Sequence, residues 1–241
     1  MTPDRLTAAL FGTLSRLRGK RIFHPFGVGF EGTLLPVAGA PTGARIFDAG
    51  EPARAIVRLS RSAGIPEALG DPCGLAFRMP GVYGPGRDQD LLLVSSAAPP
   101  VARHLILPAR GFASRFYSTL LPYRLGGELV LIGAVPAGPG PGPTLAELRE
   151  TDRAGMRFRI VLAGLGGTWR EVAELELGTR LPDGESENLR LDPMNSAGGL
   201  EPAGYLNRLR RPAYRASQDG RGAAETSVAD TPEPVLSSSR R

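Results

Sequence analysis

Two histidines, His24 and His104, and one cysteine, Cys73, are the residues of readiest reactivity in this 241-residue chain. Histidine titrates near neutral pH and is the usual acid-base group, so proton transfer here would rest on one of these two. His24 follows Arg21-Ile22-Phe23, where a core histidine satisfied by a neighbour is the alternative. His104 stands beside Arg103 in no recognisable motif, and Cys73 reads as a small buried side chain rather than a nucleophile. A second pairing lies near the end of the chain. On a helix, Arg210 and Tyr214 occupy i and i+4, on one face. A guanidinium there stabilises a phenolate and lowers its pKa from about 10, which is what a metal-ligating tyrosine needs. The same spacing also suits a buried tyrosine whose hydroxyl an arginine satisfies.

Several chemistries are missing. The sequence contains no HExxH, no GxSxG and no Cys/His metal spacing. Gly27-Val28-Gly29 lacks the third glycine and the following helix of a dinucleotide site, and no phosphate-cradling loop is present. One cysteine excludes an intramolecular disulfide. The formal charge is +5, yet Lys20 is the only lysine among 29 basic residues, and the arginines are scattered among acids. That distribution argues against a nucleic-acid partner. No apolar run approaches the roughly 18 residues of a membrane span, and no secretory pattern opens the chain, so a soluble cytoplasmic protein is expected.

The elements that must position these residues are mostly strands. Gly (32) and Pro (23) exceed a fifth of the chain and punctuate its whole length, which suits many short strands. Leu6, Leu10, Leu14 and Leu17 predict an amphipathic helix over residues 1–19, opened by Thr2-Pro3 and stopped at Gly19. Residues 21–35 read as short β pieces broken by Gly27, Gly29 and Gly32. Strands are predicted over 55–60, 74–79, 90–95, 129–135, 157–163 and 170–178, the last two as a hairpin across Gly164–Gly167. Residues 108–117 admit a helical turn, and the proline- and glycine-rich run from Pro136 to Pro143 reads as a loop. Thr144 with Glu147 predicts a capping box and a helix to about Arg153. Residues 200–217 read as helical, kinked or restarted at Pro212, and 218–241 as a disordered tail.

A set of segments, in order along the chain, resembles the haem catalase superfamily. Arg21-Ile22-Phe23-His24-Pro25-Phe26-Gly27-Val28-Gly29 is similar to the stretch that carries the family's distal histidine. Val57-Arg58-Leu59-Ser60 resembles its V-R-F-S strand. Asp71-Pro72-Cys73-Gly74-Leu75-Ala76-Phe77-Arg78 is similar to D-P-R-G-F-A-x-K, with Cys73 in place of an arginine. Leu191-Asp192-Pro193 through Gly199-Leu200-Glu201-Pro202 resembles F-D-P…G-I-E-P, and Arg210 to Tyr214 has the R-x-x-x-Y spacing of the proximal ligand. The resemblance covers roughly residues 20–217. It implies an α+β, mainly β fold: a catalase-like antiparallel β-barrel with flanking helices over residues 20–217. It implies haem b as cofactor, with Tyr214 as the iron ligand supported by Arg210, and with Arg21 and Arg58 as cofactor-binding residues, Arg58 at a propionate. It also implies His24 as the acid-base residue and Ser60 as its hydrogen-bond partner, fixing the tautomer.

One departure is chemically important. The family places an asparagine in the distal pocket, followed by phenylalanines, where this chain reads Asp90-Leu91-Leu92-Leu93-Val94-Ser95-Ser96-Ala97-Ala98-Pro99-Pro100. Only Ser95 or Ser96 offers a hydroxyl there. The expectation is therefore a peroxidase or hydroperoxide-metabolising enzyme, acting on a peroxide or organic hydroperoxide, rather than an efficient catalase. The alternative is a non-catalytic binding module for a small apolar ligand, its haem chemistry lost. Self-association into a homo-oligomer stays open, because the arms of the large catalases are missing.

Overall fold

The computed structural model describes residues 26–203 apart from 40, 62–69, 139 and 141. The chain divides into two units, Met1–Gly204 and Tyr205–Arg241, and the described residues all belong to the first. The 1–19 helix, residues 204–217 of the helix expected over 200–217, and the tail lie outside them.

Ten strands are present among the described residues: β1 (Phe26–Pro36), β2 (Ala53–Arg61), β3 (Cys73–Met79), β4 (Gln89–Ser96), β5 (Phe116–Ser118), β6 (Tyr123–Leu125), β7 (Glu128–Ala137), β8 (Arg157–Gly164), β9 (Arg170–Arg180) and β10 (Leu200–Pro202). Eight of them close on themselves in the order β1-β2-β3-β4-β5-β7-β8-β9, every pairing antiparallel. Closure removes the unpaired edges that an open sheet of this length would present. β6 pairs with the start of β7, and β10 adds outside β6. The register shifts in β1–β9 and β8–β9 are the irregularities by which strands coil tightly enough to close.

Strand alternation explains the core. Val28, Phe30 and Leu34 of β1, Val57 and Leu59 of β2, Leu75 and Phe77 of β3, Leu91 and Leu93 of β4, and Phe158 and Ile160 of β8 are all buried in one cluster. Successive members lie two residues apart on their strand, with Gly32 holding the inward position between Phe30 and Leu34. Burying a side chain of this size contributes about 1.5–3 kcal/mol, so this alternation is the main source of the fold's stability.

The strand and hairpin expectations hold at all six predicted positions, and the capping box is formed in full. Thr144 Oγ1 accepts from Glu147 N at 3.2 Å while Thr144 N donates to Glu147 Oε2 at 2.7 Å. Two other short α-helices occur among the described residues, besides a 3-10 turn at Ala102–His104. In chain order the three α-helices are α1 (Arg45–Asp48), α2 (Leu145–Glu150) and α3 (Asp183–Asn188). Three expectations are corrected. Residues 26–36 form one continuous strand rather than broken pieces, because its glycines are used for close approach, not for turning; a Cβ at Gly32 would lie 2.8 Å from Glu176 O. Pro136 and Ala137 belong to β7, paired with Phe158 and Arg157, so the loop begins at 138. Leu200–Pro202 is strand rather than helix, since Tyr123–Leu125 offers it a ladder.

Residues 190–203 form an extended strap tied to the barrel. Arg78 Nε and Nη2 donate to the two oxygens of Asp90 at 2.7 Å each. Asp90 Oδ2 also accepts from Asp192 N at 2.7 Å and Asn195 Nδ2 at 3.1 Å. These bidentate bonds raise the Arg78 guanidinium above its ordinary pKa, against the opposing effect of burial. Gln89 extends the clasp: its Oε1 accepts from Ala197 N and from the Tyr83 hydroxyl, at 3.2 and 3.1 Å.

Burial pushes the Tyr83 phenol up to about 12, with Arg45 opposing. An unfolded tyrosine titrates near pH 10. A group whose folded pKa is raised contributes stability that is complete below about pH 10 and is lost as pH rises toward 12. Tyr117 OH donates to Phe112 O at 2.8 Å, and burial raises its pKa in the same direction. Urea titrations at successive pH values are therefore expected to show an alkaline fall that is shallower in Tyr83→Phe, with Tyr117 supplying the remainder. An identical alkaline limb in both proteins would contradict this.

Candidate functional site

Arg58 and Ser60 are the two predicted site residues within the described region, and both lie on β2. Their neighbours Val57 and Leu59 are fully buried in the barrel core, so period-2 alternation turns Arg58 and Ser60 to the opposite, outer face. The ladder determines what surrounds them. Ser60 stands between Gly27 of β1 and Gly74 of β3; Arg58 stands between Gly29 and Ala76. Leu92 and Val94 of β4 continue the rows beyond Ala76 and Gly74.

This part of the outer face is consequently a floor of backbone. Gly27, Gly29, Gly74 and Ala76 raise almost nothing above the sheet. The Arg58 side chain lies across it: a Cβ at Gly27 would meet Arg58 Cζ at 2.7 Å, Nη2 at 2.8 Å and Leu59 O at 2.9 Å. Glycine at 27 is thus what lets the guanidinium lie flat on the strand. Desolvation lowers the pKa of Arg58, but a guanidinium stays charged even so, leaving a partly buried cation at the surface of the floor. Ser60 is buried, at 3% exposure. On the β1 side the floor ends where α3 covers Gly29. Ser186 Oγ accepts from Gly29 N at 3.0 Å, and a Cβ on Gly29 would lie 2.8 Å from that oxygen.

The two serines of β4 separate. Ser95 continues the inward series Leu91–Leu93; its hydroxyl donates to Leu107 O and accepts from Cys73 N at 3.0 Å. Ser96 continues the outward series Leu92–Val94. Its hydroxyl is buried and has no hydrogen-bond partner among the described residues.

No family model matches this sequence, and no curated protein matches it. Solved structures do match the fold. A bacterial catalase superposes with a TM-score of 0.61 at 15% identity, over 88% of this chain and 60% of that one. A fungal catalase superposes with a TM-score of 0.56 at 14% identity, over 80% of this chain and 58% of that one. The barrel is catalase-like. At these identities the likeness is one of fold, and this chain spans about 60% of the length of the catalases it matches.

Within the catalase-like barrel, Arg58 and Ser60 share one face, as their strand motif implies. Arg21, His24, Arg210 and Tyr214 lie outside the described residues. Cys73 is a buried core thiol. His104 has a holding role: its Nδ1 lies 2.8 Å from Leu120 O, and Leu120 is the one non-glycine described residue at positive φ, +57°. Among the described residues no group of three or more His, Cys, Asp or Glu could hold a metal ion, and no helix is long and apolar enough to cross a membrane. No motif announces the small-residue floor, and the sequence alone leaves Ser95 and Ser96 as alternatives that the strand face separates. Both were present as parity: glycine or alanine at 27, 29, 74 and 76, and an apolar series at 91 and 93 that runs into Ser95 rather than Ser96.

Proposed function

We propose that this chain binds haem b against the outer face of β1–β4 and uses it in peroxidase or hydroperoxide chemistry. The observation that carries the reading is the partly buried Arg58 guanidinium lying across Gly27, on a flat backbone floor beside buried Ser60. Such a surface fits a planar macrocycle with carboxylate arms: the small residues Gly74 and Ala76 let a ring approach the sheet beside the Arg58 guanidinium, and the cation matches a carboxylate in a poorly solvated place. The catalase-like fold supports the same reading without adding residue roles of its own.

In this proposal Arg58 and Arg21 neutralise propionates. Tyr214 would hold the iron through its phenolate oxygen, and Arg210, four residues earlier in sequence, would favour the ionised form. Haem iron supplies the electron transfer that peroxide cleavage needs. His24 would take the proton from one peroxide oxygen and deliver it to the other, which would leave as water or, from an organic hydroperoxide, as an alcohol. Ser60 hydrogen-bonds an imidazole nitrogen of His24 and so selects which nitrogen is free to act.

The test is haem titration of wild type and Arg58→Leu, followed by absorbance. Loss of a charge-assisted hydrogen bond is worth about 1.5–3 kcal/mol, so the variant is expected to bind haem at least tenfold more weakly while melting as a folded protein. Equal affinity in both proteins would remove Arg58 from the site.

A further inference from the structure

Four large apolar side chains are exposed among the described residues, and three of them lie on two turns that the fold ties together: Val101 at 84%, Leu165 at 42% and Ile106 at 37%. Val101 and Ile106 belong to the connection from β4 to β5, and Leu165 to the tight turn from β8 to β9. Arg103 joins the two. Its guanidinium is buried, lies 4.3 Å from the centre of the Trp169 ring, and donates to Gly164 O, Gly167 O and Ala98 O at 3.1, 3.0 and 3.3 Å. Trp169 Nε1 donates to the same Ala98 carbonyl at 2.8 Å, and the Trp169 ring packs on Phe116 at 4.9 Å. The apolar tips are therefore displayed on a braced support rather than on loose loops. The partners of Arg103 are carbonyls, which leave its charge in place; burial lowers its pKa, yet a guanidinium stays charged.

The charge of these turns has one sign. Over the whole chain the arginines are mixed with acids, but no acid occurs between Asp90 and Glu128 or between Asp152 and Glu171. The two turns carry Arg103, His104 and Arg170 and no carboxylate of their own. Asp48 lies within electrostatic reach of Arg170 and offsets it in part. Apolar turn tips, an indole behind them and net positive charge are together what seats a protein on an anionic bilayer. A protein partner fits less well. The exposed parts of three aliphatic side chains fall well short of the ~800 Å² that each partner buries in a stable protein interface. Insertion among lipid headgroups asks only for the tips.

We infer that this face is a docking surface for anionic lipid. Val101 and Leu165 enter the headgroup layer, Trp169 stands at its edge, and the positive charge of Arg103 and Arg170 draws the lipid surface in. The inference stands apart from the haem reading and needs no cofactor.

Trp169 is the only tryptophan of the chain, so its emission reports on this face alone. The experiment mixes the full chain with vesicles of phosphatidylcholine, or of phosphatidylcholine and phosphatidylserine in a seven-to-three mixture. It reads co-sedimentation and the quenching of Trp169 by phosphatidylcholine brominated on its acyl chains. Wild type is expected to bind the mixed vesicles with Trp169 quenched, and to bind phosphatidylcholine alone about tenfold more weakly, because a neutral leaflet does not attract the basic groups. Val101→Asp and Leu165→Asp are each expected to weaken binding about tenfold, by losing an apolar contact and adding a repelled charge, at an unchanged melting temperature. Ala146→Asp makes the same charge change on the exposed side of α2 and is expected to bind as wild type does. Binding without quenching of Trp169 would overturn the inference, because another part of the chain would then hold the lipid. An equal loss in Ala146→Asp would overturn it in favour of overall charge. So would a wild type that binds neither vesicle, or one that self-associates through a contact that Val101→Asp abolishes, which would give this face to a second copy.

Discussion

Replacing Tyr214 by phenylalanine is expected to abolish the Soret band of the haem-supplied protein, or to shift it to that of a weakly held, differently ligated haem. The argument rests on one atom. A free phenol ionises near pH 10, so at neutral pH it is a poor ligand unless a neighbour favours the phenolate. Arg210, four residues earlier on the expected helix, does that, and phenylalanine has no oxygen to ionise. The variant keeps the aromatic bulk, so circular dichroism and the melting temperature of the haem-free protein should stay close to wild type. A Soret band of unchanged position and strength in Tyr214→Phe would show that iron is held elsewhere.

The largest effect on stability is expected at Gly198. It sits at φ +63° with its Cα hydrogen facing the Tyr83 ring, and an added Cβ would land on that ring. Its carbonyl accepts from Arg45 N at 2.9 Å, so the peptide cannot swing away without breaking that bond. Left-handed backbone costs a side-chain-bearing residue about 1–2 kcal/mol, and overpacking typically adds about 1–3 kcal/mol. Gly198→Ala should therefore lose about 2–5 kcal/mol in urea unfolding. The loss should be smaller in combination with Tyr83→Leu, because the two sites share one contact. An additive double variant would mean that the strap relaxes without touching Tyr83. Since the strap carries the Asp192-Pro193…Gly199-Leu200-Glu201-Pro202 motif, this test asks whether that motif serves to clasp the chain to the barrel.

The barrel was legible wherever a strand alternates over six residues or more. The Ala173, Leu175 and Leu177 series against Glu174 and Glu176 is read as easily in the sequence as in the structure. Three-residue strands were not legible. Phe116–Ser118, Tyr123–Leu125 and Leu200–Pro202 are too short to show a period and exist because a ladder awaits them. Closure of β7 on β8 was likewise invisible, being a long-range pairing that no local pattern encodes. For the candidate site, that Arg58 and Ser60 lie on one face of β2 was readable through a four-residue motif, since alternation on one strand is local. The clasp of Asp90 on Asn195 and Asp192 joins residues more than a hundred apart, and nothing near Asp90 in the sequence announces it.

The central claim is that this catalase-like barrel holds haem, and the absorbance spectrum of the full-length wild-type protein, purified with haem supplied, tests it most directly. The account predicts a Soret band that co-elutes with the protein in stoichiometric amount. A folded protein that carries no Soret absorbance after haem is supplied would contradict it.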